Sequence, residues 1–363
     1  MVEHGDLLSV CKQALEDCVA RIEPRRKLAI RLLITGSGVR VPHNPLSIHY
    51  YSEGMRIVHR FVNRKSIKSS ILDIFLKRKL ESKSLEFLKK FPTPMVVVSH
   101  EYIGNEIAID GLYEQRILLN LFEALQIFDF QFKSGSALDV GANIGNHSRF
   151  FSEIFQTVYA FEPDPFIYEI LNLNTRLFPN IKTFKFALGE FDSVGQISGS
   201  LSNLGGSRIN RNPINMTKME NQSLIQSHEI EIKTLDSLES TFDNLKFIKM
   251  DVEGYEEYVI KGGINLISKL KPIIAFEQSF QDFKNGESSA VKILGELGYT
   301  FFWQENYSIS KLNLIKKISK FFQVTSGNRI ENLVTSDYIP PANYPLILAI
   351  EKSKIPEYFY ARK

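Results

Sequence analysis

Cysteine is nearly absent from this chain. Its 363 residues contain only Cys11 and Cys18, which excludes a disulfide scaffold and leaves no pair at zinc-ligand spacing. The two lie in a helical pattern seven residues apart. They therefore share one face two turns apart, too far for a disulfide within one helix. We read them as reduced structural thiols, in keeping with an intracellular protein. Long apolar runs are missing too: no stretch approaches the ~18 residues of a membrane span. The opening residues Glu3, His4 and Asp6 do not resemble the basic start of a signal peptide, so the expected location is cytoplasmic. Charge of one sign is also scarce. The net value of +3 is too small to imply a polyanionic partner, and no basic, aromatic-interleaved motif points to nucleic acid. Apolar material is plentiful: 44% hydrophobic residues and 27 Phe suffice for the core of an α/β enzyme with additions.

The most informative stretch is Asp139-Val140-Gly141-Ala142-Asn143-Ile144-Gly145-Asn146-His147. It follows a short apolar run and leads into a helical pattern. A strand, a glycine turn and a helix in that order make a nucleotide-cofactor loop, since glycine lets a ligand approach the main chain. The competing reading is an ordinary βα turn with two glycines. A dinucleotide fingerprint wants G-x-G-x-x-G against a pyrophosphate. Here Asn143 and Asn146 replace its second and third glycines, which weighs against a nicotinamide oxidoreductase. A cofactor without phosphate needs less glycine and can use a carboxylate, such as Asp139, on a cationic group. S-adenosylmethionine has that chemistry.

A second strand is expected at Thr157–Phe161, ending in Glu162-Pro163-Asp164-Pro165. A βαβ nucleotide fold holds ribose hydroxyls with an acid about 20 residues beyond its glycine loop. Glu162 occupies that place, and a carboxylate can accept from both hydroxyls of a vicinal diol. The alternative for Glu162 is a solvated acid at a strand end. Asp164 then suits an N-cap and Pro165 the first helical turn.

Taken together, Asp139–His147, Tyr159–Pro165, Ala187-Leu188-Gly189, Lys249–Glu256 and Pro272–Glu277 resemble the FkbM-type methyltransferases. The resemblance covers roughly residues 95–350. It implies a Rossmann-like class I fold, an α/β structure with a mostly parallel seven-stranded sheet and helices on both faces. It also implies S-adenosylmethionine as cofactor and O-methylation of a hydroxyl on a sugar, glycolipid or natural product. The turn at Ala187 and Leu188 would line the adenine, and a lead-in over 93–130 would help cover the cofactor. An inactive protein that keeps the cofactor fold as a binding module is a further reading.

Core strands are expected near 136–140, 157–161, 183–187, 246–250, 272–276, 298–303 and 344–350. Residues 1–92 read as a helical extension, with a helix over 6–22 and an irregular stretch over 24–55. Residues 56–91 hold eleven Lys or Arg against three acids, a local charge of +8. Ile71, Leu72, Phe75, Leu76 and Leu80 place an apolar stripe there. Such a helix either packs on the catalytic domain or meets an anionic membrane or acidic partner. Met95–Ser99 and Glu106–Asp110 look like a hairpin joined at Gly104-Asn105, followed by a helix to about 128. The polar, Gly-rich stretch 195–227 reads as a substrate-side loop or lid, or else as a disordered insertion.

Ligands of open α/β sheets bind at the carboxyl ends of the strands, so Asp139, Glu162, Asp251 and Glu277 matter most. Asp251 and Glu277 should sit on neighbouring strands and tune each other. Glu277 is the first candidate for the base that removes the acceptor's proton. Asp251 is the second, and could instead hold the cofactor's ammonium. His147 is the third, with a capping or packing role as its alternative. Gly141, Asn143, Gly145, Ala187 and Leu188 complete the expected cofactor contacts. Nothing specifies a metal, although two carboxylates could share Mg²⁺. The acceptor is expected to be a small molecule or a glycan.

Overall fold

A computed structural model describes residues 67–90, 93–98, 101–126, 130–200, 203–210, 225–305 and 332–356. The helix expected over 6–22 and the irregular stretch over 24–55 lie outside these residues. The chain separates into two compact units, Met1–Leu112 and Tyr113–Lys363, and each is described by itself.

In the first unit, Ile67–Lys90 forms a 24-residue helix, α1, built from Leu, Ile, Lys and Glu, which lose little on entering a helix. Its apolar stripe is not fully covered: Ile74, Phe75, Leu76 and Leu85 are exposed beside Lys77, Arg78 and Lys79. The expected hairpin is absent. Tyr102–Asp110 is a helix, α2, capped by the Glu101 carboxylate, which accepts from Gly104 N at 2.9 Å. Gly104 misleads as a turn signal. A Cβ there would stand 2.4 Å from Val98 O, so glycine admits a close backbone approach inside a helix. Gly111, in the left-handed region, then closes α2.

The second unit opens with α3 (Gln115–Gln126), which buries Leu118, Leu121, Phe122 and Leu125, one helical stripe. Phe122 meets the rings of Phe132, Phe150, Phe151, Phe155 and Phe247 within 6.0 Å. All five contacts are tilted or edge-on, as ring quadrupoles prefer. This cluster seats α3 over the sheet, and the residues just before α3 consequently reach the strand ends.

The central sheet is built from β1 (Ser136–Val140), β2 (Thr157–Phe161), β3 (Ile181–Phe184), β8 (Leu245–Met250), β9 (Ile273–Gln278), β12 (Tyr299–Glu305), β13 (Asn332–Ser336) and β14 (Tyr344–Glu351). Its order is β13-β12-β14-β9-β8-β1-β2-β3. The five strands from β3 to β9 are mutually parallel. Near-continuous apolar runs suit strands covered on both faces. β14 runs antiparallel between β9 and β12. The winding reverses between β1 and β8, the switch point at which such sheets bind ligands. This is the expected Rossmann-like α/β fold, with eight strands where the sequence pattern gave seven; β13 is the addition.

The helices α4 (Asn146–Ser152) and α5 (Pro165–Thr175) follow β1 and β2. Asp164 caps α5 as expected, its Oδ1 accepting from Phe166 N and Ile167 N at 2.8 and 3.0 Å. The third core strand is shorter than expected. After Phe184 the chain leaves the main sheet, and β4 (Ala187–Leu188) pairs instead with β7 (Ile225–Lys233). The described residues of the stretch read as a loop lie in strands: β5 (Ser193–Ser200) and β6 (Asn203–Asn210) complete a four-stranded order β4-β7-β5-β6. Within β7, Ile230 and Ile232 are buried while Glu229 and Glu231 are exposed. That is the two-residue period of a half-buried strand. Ile197, Ile230, Ile232 and Ala187 form the side sheet's small core. Among the described residues, no helix is long and apolar enough to cross a membrane.

Candidate active site

The turn after β1 is set by close packing. Gly141 (φ 78°), Asn143 (φ 49°) and Gly145 (φ 88°) all lie in the left-handed region. A Cβ on Gly141 would fall 1.9 Å from Asp251 O, so only glycine lets this turn pass the end of β8. Gly141 N and Ala142 N both donate to Phe161 O, at 3.1 and 2.9 Å. Asn143 N donates to Glu162 Oε2 at 3.0 Å, and Asp164 N donates to Oε1 at 2.9 Å. Glu162 therefore ties the β1 turn to the end of β2. Burial pushes its carboxyl up to about 8 against the lowering effect of those two amides. Each oxygen keeps a further lone pair.

On the other side of β1, register places Asp139 abreast of Lys249. Asp139 is fully buried. Its Oδ2 accepts from Ser148 Oγ at 2.5 Å, while Oδ1 has no hydrogen-bond donor and lies 3.6 Å from Lys249 Nζ. Lys249 Nζ donates to Asp251 Oδ2 at 3.2 Å. Burial opposes the Lys249 charge, but Asp251, Asp139 and Glu114 outweigh it and raise the ammonium above its usual range. Burial likewise works against an ionised Asp251, and the charges of Lys249 and His147 overcome it and lower the carboxyl.

Asp251 and Glu277 follow Met250 and Phe276, which are register partners on β8 and β9, and the two carboxyl groups interact directly. Burial, then the charges of Asp251, Glu253, Glu114 and Glu256, push Glu277 up to about 8. The Glu277 side chain still meets solvent, so water screens part of this shift. The four neighbouring carboxylates push in the same direction as burial. Glu253 (φ 53°) and Gly254 (φ 89°) turn the chain after β8. Glu256, the first residue of α6 (Glu256–Lys261), folds back to accept from Val252 N at 3.2 Å and Gly254 N at 3.4 Å.

His147 is buried on α4, stacked against Tyr113 at 6.4 Å between centroids. Its Nε2 lies 3.4 Å from Glu114 Oε2 without hydrogen-bond geometry. Asn146 fixes the neighbouring backbone: Tyr113 N donates to its Oδ1, and its Nδ2 donates to Tyr113 O, both at 3.0 Å. This two-point clamp holds Glu114 in a left-handed conformation (φ 56°), facing the charged group.

Residues 139–308 match the Methyltransferase FkbM domain model. This segment is an FkbM-type methyltransferase domain. Among solved structures, the FkbM methyltransferase from Methylobacillus flagellatus KT is 22% identical. That match covers 46% of this chain and 36% of the other, with a TM-score of 0.29. This chain thus spans about a third of that protein's length. The precorrin-6y C5,15-methyltransferase from Geobacter metallireducens GS-15 is 12% identical over 66% and 91% of the two chains (TM-score 0.30). The magnesium protoporphyrin IX methyltransferase from Synechocystis PCC 6803, solved with bound SAM, is 9% identical over 80% and 100% (TM-score 0.34). No curated protein matches the chain significantly.

Within the FkbM domain, the structure gathers Asp139, Asp251, Glu277 and His147 into one charged group, with Gly141, Asn143 and Gly145 in the adjoining turn and Glu162 bonded to that turn from the end of β2. It turns Ala187 and Leu188 away. Ala187 is buried in the side-sheet core and Leu188 in the main core, so only their main chain could face a ligand. Two members of the group were not singled out from the sequence. Lys249 was hidden in an apolar strand, where a lone lysine beside strand-end acids is the readable signal. Glu114 precedes α3, and only the fold brings it to the strand ends. Among the described residues, no group of three or more His, Cys, Asp or Glu could hold a metal ion.

Proposed function

We propose that this protein is an S-adenosylmethionine-dependent O-methyltransferase acting on a hydroxyl of a sugar, glycolipid or natural-product acceptor. The observation that carries the reading is the asymmetry about β1. On one side stands Glu162, with lone pairs left for hydroxyl donors. On the other stands an acidic group whose buried Asp139 Oδ1 lacks a hydrogen-bond donor. Such a crevice fits a ligand with a diol at one end and positive charge at the other, and it repels a pyrophosphate. Glu162 would hold the ribose hydroxyls, the Gly141–Gly145 turn would lie against the nucleoside, and Asp139 or Asp251 would face the ammonium. Bound there, S-adenosylmethionine supplies an electrophilic methyl carbon on a sulfonium.

The chain's own part is to hold the acceptor oxygen in line and take its proton. Alignment alone can supply much of the acceleration. Glu277 is the base: its pKa near 8 gives it proton affinity that an ordinary carboxylate lacks, and its solvent contact lets the proton leave. Lys249 keeps Asp251 ionised beside it. Transfer of label from S-adenosylmethionine into a cell-extract fraction tests this reading. Glu277→Gln should cut transfer by about 10²–10⁴-fold while S-adenosylhomocysteine still binds. Undiminished transfer would remove Glu277 from the mechanism.

A further inference from the structure

A cleft of about 340 Å³ opens one residue beyond the two transfer carboxylates. Val252 follows Asp251 and Gln278 follows Glu277, and both line it. The loop Glu253–Glu257 forms one wall, Gln281 and Asp282 another, and Ile209 of the side sheet closes a third. None of the cofactor-turn residues borders it, so it is separate from the crevice beside β2. Its volume lies at the small end of ligand pockets, roughly 300–1,000 Å³.

The lining is hydrophilic and unbalanced in charge. Glu253, Glu256, Glu257 and Asp282 bring carboxyl groups to the lining and Lys284 an ammonium; Glu257 is paired with Lys261 at 2.7 Å, just outside the lining, which leaves three acids against one cation. Concave walls of one sign focus the field, favouring one charge of ligand and rejecting the other. Carboxamides, serine hydroxyls and carboxylates together offer the donors and acceptors that hydroxyl groups need. Tyr255, stacked on Tyr258 at 4.7 Å, supplies an aromatic wall for the apolar face of a ring.

We infer that this cleft seats the acceptor, and that the acceptor is an uncharged or cationic polyol. A sugar phosphate or nucleotide-linked sugar would bring its negative charge against these carboxylates and the Asp251–Glu277 pair. The hydroxyl is therefore methylated on a carrier free of phosphate. The reaction that supplies the substrate is then a glycosyl transfer that has already released the phosphate carrier, or a dephosphorylation. This inference rests on the methyltransferase reading above.

The experiment incubates full-length protein with S-adenosylmethionine labelled in the methyl group and cell extract, then separates products by anion exchange. Label is expected in the neutral and cationic fractions. Gln281→Trp, at an exposed position on the cleft wall, should lower transfer more than tenfold with S-adenosylhomocysteine affinity within twofold of wild type. Glu253→Gln combined with Glu257→Gln should increase several-fold any label retained by the resin. Three results would overturn the inference: label confined to an anionic fraction that phosphatase renders neutral, undiminished transfer by Gln281→Trp, or no label in any fraction although S-adenosylhomocysteine binds. A protein that binds no S-adenosylhomocysteine would instead overturn the methyltransferase reading, and this inference with it.

Discussion

Lys249→Met tests the charged group at its centre. Lys249 is 5% exposed and bridges Asp139, which is fully buried, to Asp251. Methionine keeps much of the stem's volume but removes the only cation within 4 Å of either carboxylate among the described residues. Asp139 is then left with the Ser148 hydroxyl alone. Breaking one partner out of a buried ion pair costs about 3–5 kcal/mol. In a unit of this size each kcal/mol lowers the midpoint by about 2–4 °C, so a fall of roughly 10 °C is expected. The pH dependence follows from Asp251. Its folded pKa is below its unfolded value, so it contributes stability above the unfolded pKa and loses it as pH falls. Without Lys249 that contribution goes, so the gap between variant and wild type is widest above about pH 5 and narrows on acidification. Urea unfolding at pH 4 and pH 7 measures both terms. Adding Asp139→Asn removes the stranded charge and should return part of the loss, with a coupling of about 1–3 kcal/mol. A loss under about 1 kcal/mol, or strict additivity in the double variant, would mean that water already serves these carboxylates.

Other perturbations reach the neighbouring elements. Gly141→Ala combines a left-handed φ with a Cβ 1.9 Å from Asp251 O; it should destabilise by more than about 2 kcal/mol and abolish cofactor binding, read by thermal shift and calorimetry. Asn146→Ala removes both hydrogen bonds to the Tyr113 backbone and should cost about 1–3 kcal/mol, with a larger effect on kcat than on cofactor affinity because Glu114 loses its fixed conformation. The transfer rate should rise with pH and level off above about 8, since Glu277 acts as a base only when ionised; Glu277→Gln should flatten that rise.

The main sheet was legible because four of its five parallel strands carry an acid at or next to their carboxyl end: Asp139, Glu162, Asp251 and Glu277 mark where those apolar runs stop, while β3 runs into Lys185. What the sequence obscured had identifiable causes. Gly104 served a tight crossing against Val98 and not a turn, which turned a helix into an apparent hairpin. Glycine, serine and asparagine in 195–227 masked an antiparallel sheet, although Ile230 and Ile232 alternating with glutamates carried the right period. Lys249 and Glu114 depend on contacts between distant segments, and one chain's pattern does not display those. The glycines of the β1 turn were anticipated as a ligand cradle. Gly141 turns out to be required by the fold itself, through its approach to Asp251, so the case for a cofactor falls mainly on the carboxylates.

Glu162 offers the most direct test of the adenosyl crevice. With its pKa raised to about 8, it is mostly protonated at neutral pH. Ionisation then works against the folded state, so its contribution to stability is held at low pH and lost as pH rises towards 8. Ribose hydroxyls donating to the carboxylate would favour the ionised form. Calorimetric titration with S-adenosylmethionine at pH 7, in two buffers of different ionisation enthalpy, should give one site per chain and release of close to one proton. Glu162→Gln should abolish that release and weaken binding about tenfold or more, roughly 1.4 kcal/mol. Absence of binding, or binding with the same affinity and proton count in Glu162→Gln, would contradict the account.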